Sequence, residues 1–258
     1  MRLATWNVNS VTARLPRLVA WLEATQPDVV CLQETKCAGD AFPAGHVEPL
    51  GYTVAAHGDG RWNGVALLSR IGLAEVRRGL PDEPGLPDPE ARAIAATCAG
   101  LRVWSVYVLN GRTPDSPHYA FKLSWLAALR NAVAGELDAQ RPFVVCGDFN
   151  VAPTDDDVWD RAAFEGATHV TPPERAALAE LHRLGLADVL PRALKGPRPF
   201  TYWDYRAGMF PKDMGMRIDL VLGNAPFTAG VRDAYVDREA RKGKGPSDHA
   251  PIVVDLEV

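Results

Sequence analysis

The chain has 258 residues, of which 47% are hydrophobic, so it is long enough to bury a large core. Its formal net charge of −4 argues against a broadly basic surface of the kind that most nucleic-acid binders carry. No run approaches the ~20 apolar residues that span a bilayer, and a strand-like segment begins at Arg2. We therefore expect a cytoplasmic protein without a signal peptide or membrane anchor.

The first half of the chain alternates between strand and helix patterns. Residues 3–8 and 28–32 are short apolar runs that predict buried strands, and Leu15, Leu18, Val19 and Leu22 between them recur at helical spacing. Further strands are predicted at residues 52–56, 65–68, 91–97 and 101–109. Glycines in residues 58–64 and prolines in residues 82–90 indicate a turn and a surface loop.

The second half begins with a long amphipathic helix at residues 119–137, which leads into a buried strand at 142–146. A second helix is predicted at residues 174–185, and strands are predicted at 218–222 and 252–256. Strands adjoin strands in each half, with helices outside them. The predicted fold is therefore α/β, a four-layer α-β-β-α sandwich of two packed mixed sheets flanked by helices. Because no low-complexity linker divides the chain, we expect one domain over residues 1–258.

Four cysteines, Cys31, Cys37, Cys98 and Cys146, are scattered along the chain without forming a C-x-x-C pair. Cys31 and Cys146 lie in apolar runs that read as strands. We expect reduced thiols within the core.

Basic residues are concentrated in two places. Residues 192–217 contain six basic and two acidic side chains, and Arg238, Arg241, Lys242 and Lys244 come shortly before Asp248. Such runs are commonly solvated surface charge. Contact with phosphate is the alternative that their position in the chain favours.

Polar side chains cluster where the apolar strands end. They are Asn7 and Asn9, Gln33 and Glu34, Tyr107 and Asn110, Asp148 and Asn150, Asp219, and Asp248 with His249. Taken alone, a carboxylate at a strand end is commonly exposed or caps a loop. Strand ends are nevertheless where ligand sites collect in α/β sheets, and a pocket of oxygen donors suits a hard cation such as Mg²⁺ better than zinc.

Eight segments occur in an order that resembles one known family. They are Thr5-Trp6-Asn7-Val8-Asn9, Leu32-Gln33-Glu34-Thr35-Lys36, Gly64-Val65-Ala66-Leu67-Leu68, Tyr107 with Asn110-Gly111, Gly147-Asp148-Phe149-Asn150, Thr201-Tyr202-Trp203-Asp204-Tyr205-Arg206, Arg217-Ile218-Asp219 and Ser247-Asp248-His249-Ala250-Pro251. Together they resemble the exonuclease III family of abasic-site endonucleases, within the endonuclease/exonuclease/phosphatase superfamily. The resemblance runs from Leu3 to Leu256.

The resemblance implies a magnesium-dependent DNA repair nuclease, in which Mn²⁺ can substitute. Such an enzyme cuts the phosphodiester 5′ to abasic sites and has 3′-to-5′ exonuclease and 3′-phosphodiesterase activity on duplex DNA. The implied partner is double-stranded DNA with abasic sites or blocked 3′ ends, and the implied state is a monomer. The implied metal ligands are Asn7, Glu34, Asp148, Asn150 and Asp248.

Each implied catalytic residue has a role in phosphodiester hydrolysis. Asp148 would deprotonate the attacking water, and Asn150 would hold that water or the Asp148 carboxylate. His249 would donate a hydrogen bond to the phosphate as an imidazolium, with Asp219 accepting from its other ring nitrogen. Tyr107 would place its hydroxyl on the same phosphate. Ordinary alternatives remain open: an Asx turn for Asn150, a satisfied buried histidine for His249 and a strand aromatic for Tyr107.

DNA contacts are expected from side chains that face the sugar-phosphate backbone, since cutting at damage needs no reading of base edges. The candidates are Lys36, Asn110, Arg112, Arg206 and Arg217.

A small apolar pocket that admits a bare sugar would select abasic sites. By similarity it would be lined by Tyr202, Trp203, Met216 and Ile218, for which packing in the core is the alternative. Three residues depart from the family pattern. Ser10 replaces the glycine that often follows the Trp6-Asn7-Val8-Asn9 segment, Leu109 stands where proline is common, and Met216 stands where tryptophan is common. The Met216 departure leaves the balance of endonuclease and exonuclease activity open.

Two other functions remain open at this point. The first is a relative that acts on another phosphoester, such as RNA or an inositol phosphate. The second is a DNA-binding scaffold that has lost hydrolysis, against which Glu34, Asp148 and His249 are all present.

Overall fold

A computed structural model of the chain describes residues 1–138 and 140–257. In those residues the strands are β1 (Arg2–Asn7), β2 (Val29–Gln33), β3 (Thr53–His57), β4 (Val65–Ser69), β5 (Ala74–Arg78), β6 (Ala93–Cys98), β7 (Leu101–Tyr107), β8 (Phe143–Asp148), β9 (Ala187–Asp188), β10 (Arg192–Ala193), β11 (Asp219–Gly223), β12 (Val231–Val236) and β13 (Ile252–Leu256). The α-helices are α1 (Val11–Thr25), α2 (Pro117–Glu136), α3 (Pro172–Arg183) and α4 (Ala225–Gly230).

The strands form two mixed sheets. One has the strand order β10-β12-β13-β1-β2-β4-β3, and the other has the order β5-β6-β7-β8-β11-β9. At the centre of each sheet lies a parallel pair, β1 with β2 in the first and β7 with β8 in the second. Most of the remaining neighbours are antiparallel.

Three apolar clusters separate the layers. Leu3 and Cys31 of the first sheet pack against Ile94 and Val144 of the second, which buries the space between the sheets. A second cluster lies between the outer face of the β7–β8 sheet and helices α2 and α3, and a third lies between the β1–β2 sheet and α1. The predicted four-layer α-β-β-α sandwich is confirmed.

Strand pairing decides where the polar strand ends meet. Parallel pairing sets Asn7 opposite Gln33 in one sheet and Tyr107 opposite Asp148 in the other. Antiparallel pairing of β11 with β8 sets Asp219 opposite Asp148. The carboxyl ends of β1, β2, β7 and β8 and the amino end of β11 therefore carry the polar residues to one edge of the sandwich.

The strands and helices predicted from periodicity are all present, with ends shifted by a few residues. Four strands and one helix were not predicted: β5, β9, β10, β12 and α4. β5 has five exposed residues, three of them charged, so its brief alternation of Ala74 and Val76 with Glu75 and Arg77 is too short and too polar to predict a strand. β9 and β10 have two residues each, too few to carry a period.

Among the described residues all four cysteines are free thiols. Cys31, Cys98 and Cys146 are buried, as expected of core thiols, and Cys37 is partly exposed. None of the helices in the described ranges is long and apolar enough to cross a membrane.

The backbone at Gly147, in β8, requires glycine. Its φ is +143°, and a Cβ placed there would lie 2.0 Å from the carbonyl oxygen of Val106 in the neighbouring strand. We expect Gly147→Ala to lower the free energy of unfolding by about 3–5 kcal/mol, since the clash is with backbone that cannot move aside. Chemical denaturation of the purified variant would measure the loss.

Gly100→Ala is the matched control. Gly100 also has a positive φ, +89°, but a Cβ there would meet nothing within 4 Å. Its replacement should cost only the about 1–2 kcal/mol of a left-handed backbone. Equal losses in the two variants would show that the close approach to Val106 does not limit this position.

Candidate active site

Three ionisable side chains converge at the polar edge of the sandwich. Ligand atoms of Glu34, Asp148 and His249 all lie within 4.8 Å of one another. Glu34 directly follows β2, Asp148 ends β8, and His249 comes shortly before β13. Segments more than two hundred residues apart in the chain thus supply one site.

His249 is held by two carboxylates. Its Nδ1 lies 2.8 Å from Asp219 Oδ2, and its Nε2 lies 3.7 Å from Asp148 Oδ2. Burial of the imidazole would lower its pKa, but the negative charges of Asp219 and Asp148 outweigh burial and raise the pKa to about 10. His249 is therefore an imidazolium at neutral pH, with Nδ1–H donating to Asp219.

Asp148 has the opposite character. Burial raises the pKa of its carboxyl group to about 7, and the charges of Asp219 and Glu34 act in the same direction, while His249 opposes them. Its oxygens accept hydrogen bonds from Asn7 Nδ2 at 2.9 Å and from the backbone N–H of Asn150 at 2.9 Å. A carboxylate with a pKa near the working pH is suited to accept a proton during a reaction.

The Asn7 side chain links the two acidic groups. Its Nδ2 donates to Glu34 Oε1 at 2.8 Å and to Asp148 Oδ2 at 2.9 Å, while its Oδ1 accepts from the backbone N–H of Asn9 at 3.0 Å. The Asn7 side chain thus points its amide nitrogen at the centre of the site. Its oxygen, which is the atom that could bind a metal, points away toward Asn9. The place of Asn7 in a ligand set stays a prediction.

Glu34 is already balanced by a cation. Lys36 Nζ lies 2.8 Å from Glu34 Oε2 and donates to Asn9 Oδ1 at 2.5 Å. Burial would raise the pKa of Glu34, but the Lys36 ammonium and the Asn7 amide lower it below its usual value. Glu34 is therefore ionised, and with Asp148 it offers the carboxylate oxygens that a hard divalent cation prefers. The donor set fits such an ion.

Asn150 and Asp248 flank this centre. Asn150 Nδ2 donates to Val108 O at 2.8 Å and lies 3.3 Å from Asp148 Oδ2. Asp248 Oδ1 accepts a hydrogen bond from Asn9 Nδ2 at 3.0 Å, and the Asn9 side chain in turn accepts from Lys36, the partner of Glu34. Both side chains therefore lie beside the acidic group, and their place in a ligand set stays a prediction.

Tyr107 lies at the end of β7 beside the acidic residues. Burial raises the pKa of its hydroxyl well above the usual value, and the charges of Glu34 and Asp148 add to the shift. The hydroxyl therefore keeps its proton and can act as a hydrogen-bond donor. Asn110 and Arg112, which follow it, are both exposed at this edge.

Two predicted DNA contacts do not face solvent. Arg217 is 3% exposed and is held by Asp157 and Asp188 in ion pairs of 2.6 and 2.7 Å. Trp203 is 1% exposed and packs edge-on against Phe210. Arg217 thus fixes loops behind the site, and Trp203 belongs to the core, which was its alternative reading.

The remaining predicted pocket residues lie close to His249. Tyr202 packs against the His249 imidazole with ring centroids 4.9 Å apart. Met216 and Ile218 form a small apolar cluster with Val158 beneath Tyr202, and they are 6% and 2% exposed. The four predicted pocket residues therefore leave little apolar surface open to a ligand.

Several arginines of the two basic clusters form ion pairs within the protein. Arg192 pairs with Asp233, Arg206 with Asp204, and Arg238 with Asp213. Arg206 is exposed nonetheless, and Lys36 lies inside the acidic group rather than on a loop surface.

Sequence reasoning missed three buried residues behind the site. Lys122 and Glu174 form an ion pair, and the imidazole Nε2 of His169 lies 3.0 Å from Asn110 Nδ2 and 3.2 Å from Asn150 Oδ1. One signal was available: Thr171 and Glu174, three residues apart before an apolar run, are typical of a helix capping box. A lone histidine and a helical lysine gave none.

A second missed feature is a cavity of about 340 Å³ beside Arg112. Trp62, which is 63% exposed, and Asn63 form part of its lining. The guanidinium of Arg61 lies 4.9 Å from the centre of the Trp62 ring. An exposed tryptophan in a glycine-rich turn is unusual enough to have been singled out from the sequence.

Comparison with known proteins gives one family and several similar chains. The model of the Endonuclease/Exonuclease/phosphatase family matches residues 4–249. The chain is 33% identical over 271 residues to the Exodeoxyribonuclease III of Haemophilus influenzae, and the match covers 98% of each chain.

Two solved structures superpose closely over the whole of both chains. One is the 3′ phosphatase NExo from Neisseria bound to a product DNA hairpin, with a TM-score of 0.94 and 38% identity. The other is an AP endonuclease from Archaeoglobus fulgidus, with a TM-score of 0.94 and 35% identity.

The His249–Asp219 pair leads to a prediction about protonation. In Asp219→Asn the carboxylate charge 2.8 Å from Nδ1 is lost while burial remains, so the pKa of His249 should fall well below about 10, with Asp148 as the neighbouring carboxylate that still raises it. The imidazole signals of His249, followed by NMR through a pH titration of the metal-free protein, would measure the change.

Protonation of His249 also makes the stability of the folded protein depend on pH. Because the folded pKa of about 10 is above the unfolded ~6.5, the stability from protonating His249 is full below pH 6.5 and is lost as the pH rises to 10.

Asp233→Asn removes a surface carboxylate paired with Arg192, so it serves as the control for Asp219→Asn and should leave the titration of His249 unchanged. A neutral His249 at pH 8 in the parent protein would refute the assignment.

Proposed function

The chain belongs to the Endonuclease/Exonuclease/phosphatase family, and from this membership we propose that it is a magnesium-dependent DNA repair nuclease that hydrolyses phosphoester bonds at abasic sites and 3′ ends of duplex DNA. The observation that carries the proposal is the facing pair of Asp148, with a pKa of about 7, and the protonated His249, whose Nε2 lies 3.7 Å away. Hydrolysis of a phosphoester needs both a base for water and a cation for the phosphate.

In this mechanism Asp148 removes the proton of the attacking water. Asn150 donates to Asp148 through its backbone N–H at 2.9 Å, which orients the carboxylate, and its side-chain amide lies beside the same group without adding a negative charge. A second carboxylate there would raise the pKa of Asp148 further and repel the phosphate. The neutral amide of Asn150 therefore lies beside Asp148 without raising its pKa further and without repelling the phosphate.

His249 stabilises the negative charge that grows on the phosphate oxygens. Its Nδ1–H is occupied by Asp219, so Nε2–H is the group free to donate to a phosphate that enters the site. The protonated Tyr107 hydroxyl can donate to the same phosphate. Asp219 itself acts by keeping the imidazole charged and oriented.

The metal is proposed to be Mg²⁺, for which Mn²⁺ can substitute. When bound, a divalent ion supplies positive charge for the phosphate and for the departing 3′ oxygen. Glu34 would be its main ligand, assisted by Asp248. Asn7 would join them by turning its side-chain oxygen toward the ion, since its amide nitrogen faces Glu34 and Asp148. Lys36, which now balances Glu34, would be released toward the DNA backbone.

Duplex DNA is the proposed partner of a monomeric enzyme. Asn110, Arg112, Lys36 and Arg206 remain the candidates for contact with the sugar-phosphate backbone, and the exposed Trp62 adds a stacking surface beside Arg112. Arg217 is excluded by its burial between Asp157 and Asp188.

One observation favours 3′ ends over internal abasic sites as the main substrate. The predicted sugar pocket offers little room, because Trp203, Met216 and Ile218 are 1%, 6% and 2% exposed. The similar protein NExo is a 3′ phosphatase, which agrees with a preference for 3′ ends over internal abasic sites. A terminal phosphate needs no extruded sugar, so its removal makes no demand on that pocket.

Labelled duplexes test the substrate and the metal together. The panel comprises a 3′-phosphate end, a recessed 3′-hydroxyl end, an internal abasic site and an undamaged duplex, each with Mg²⁺, with Mn²⁺ and with chelator. We expect turnover only with metal, removal of the 3′ phosphate at least as fast as abasic incision, and incision on the 5′ side of the lesion leaving a 3′ hydroxyl. Gel analysis of the products measures all of these.

RNA and inositol phosphates serve as competing substrates in the same assay. Faster turnover of either than of every DNA substrate would assign the chain to another branch of the family. Hydrolysis that persists in chelator would remove the metal from the mechanism.

Asp148→Asn separates binding from hydrolysis. The amide keeps the shape of the side chain but cannot accept a proton from water, so we expect kcat to fall by about 10²–10⁴-fold while DNA affinity is retained. Single-turnover cleavage and fluorescence anisotropy with the same duplex would measure the two quantities. Asp233→Asn is the control for loss of a carboxylate elsewhere, and cleavage by Asp148→Asn at the parent rate would rule out the proposed base.

A further inference from the structure

A buried ion pair lies behind the active site, between two helices. Lys122 of α2 and Glu174 in the first turn of α3 are both 0% exposed, and Lys122 Nζ lies 2.5 Å from Glu174 Oε1. Taking two charges out of water is costly, and an apolar pair of similar volume commonly gives equal stability. What an apolar pair cannot supply is hydrogen bonds, so the partners of these charges indicate their role.

The Lys122 ammonium uses all three of its donors. Besides Glu174, it donates to the backbone carbonyl of Asn150 at 2.6 Å and to that of Asn110 at 3.3 Å. Asn150 follows β8 and Asn110 follows β7, the parallel pair that carries Asp148 to the site. One ammonium group thus joins the two loops that hold the amide side chains of the site.

The Glu174 carboxylate holds a third loop. It accepts from the backbone N–H of His169 at 3.0 Å, and from the backbone N–H and hydroxyl of Thr171 at 3.0 and 2.7 Å. The His169 ring, carried by this loop, lies between the amides of Asn110 and Asn150. The ion pair therefore reaches both amides from two directions.

The backbone of Asn150 has an uncommon conformation that these contacts hold in place. Its φ is +50°, a left-handed conformation that asparagine tolerates better than most residues but that still costs free energy relative to glycine. In this conformation the Asn150 N–H donates to Asp148 Oδ1, which orients the carboxylate. The short hydrogen bond from Lys122 to the Asn150 carbonyl fixes the next peptide and so opposes relaxation of the strained residue.

We propose that Lys122 and Glu174 are positioning residues, which hold Asn150 in the conformation that orients Asp148 for hydrolysis. The proposal rests on the proposed nuclease function, since it concerns the same site. Neither residue touches the substrate: they act through Asn150.

The test replaces both charges at once, so that neither is left buried alone. In the double variant Lys122→Met and Glu174→Gln, shape is nearly kept. The single glutamine oxygen can still accept from Thr171, while the bond from the His169 N–H is lost. We expect kcat to fall by about 10- to 100-fold, as misplacement of a catalytic group commonly costs, with little change in KM. Steady-state hydrolysis of a 3′-phosphate duplex by the full chain with Mg²⁺ measures both constants.

The matched control is a partly buried ion pair that joins α2 to β7 at the end far from the site. Arg102 and Glu136 have side chains 12% and 15% exposed, with Arg102 Nε 2.8 Å from Glu136 Oε2. The double variant Arg102→Met and Glu136→Gln should lose stability in thermal denaturation and keep the parent kcat. An equal fall of kcat in both variants would show that the loss follows from general weakening of the fold, and would overturn the proposal.

Coupling to Asp148 distinguishes a positioning role from a structural one. In an Asp148→Asn background the Lys122 and Glu174 replacements should lower the residual kcat by no more than about twofold, because the base that they position is gone. If the replacements lower kcat by the same factor with and without the Asp148 carboxylate, they do not act by positioning it and the proposal fails.

Should the double variant not fold, Glu174→Gln alone keeps the ammonium in place, and the same comparison of its kcat with and without the Asp148 carboxylate decides the matter. An inactive parent chain would refute the proposed function itself, whereas an active parent with an equally active double variant refutes only the positioning role.

Discussion

The active site depends on one electrostatic balance, in which the buried His249 imidazolium offsets the carboxylates of Asp219 and Asp148. Buried charges are tolerated only when they are paired and hydrogen-bonded. Asp219 lies closer, at 2.8 Å, and takes the Nδ1 proton, so the charge of His249 is fixed while Asp148 keeps a pKa of about 7. Two carboxylates around one imidazolium thereby acquire different chemistry: Asp219 holds the ring through a hydrogen bond, and Asp148 can take a proton.

The fold makes this balance possible by bringing strand ends together. Parallel pairing of β1 with β2, and of β7 with β8, places the carboxyl ends of four central strands at one edge, where helices and loops supply hydrogen-bond donors. The second sheet contributes Asp148 and Asp219 from adjacent strands in register. The first contributes Asn7 and the loop that carries Glu34. At this edge the two sets of groups meet, and Asn7 of the first sheet donates directly to Asp148 of the second at 2.9 Å.

The sequence predicted the central strands and the site residues that follow them, because apolar runs ending in polar residues are a local signal. It could not predict the residues whose role depends on tertiary neighbours. Arg217 was expected to face DNA, but it is buried between Asp157 and Asp188. Lys122 looks like any lysine on an amphipathic helix, and only the approach of the β7 and β8 loops shows that its ammonium is enclosed. Charge within a sequence does not reveal which charges remain in water.

The exposed strand β5 has a consequence for the behaviour of the chain in concentrated solution. An edge strand offers unpaired N–H and C=O groups to which another molecule can add by strand pairing. In β5 the side chains include Glu75, Arg77 and Arg78, and Arg102 Nη1 donates to the Glu75 carbonyl. Incoming strands would have to bury these charges and displace that guanidinium. The same charged side chains that hide β5 from sequence analysis thus protect the sheet against aggregation.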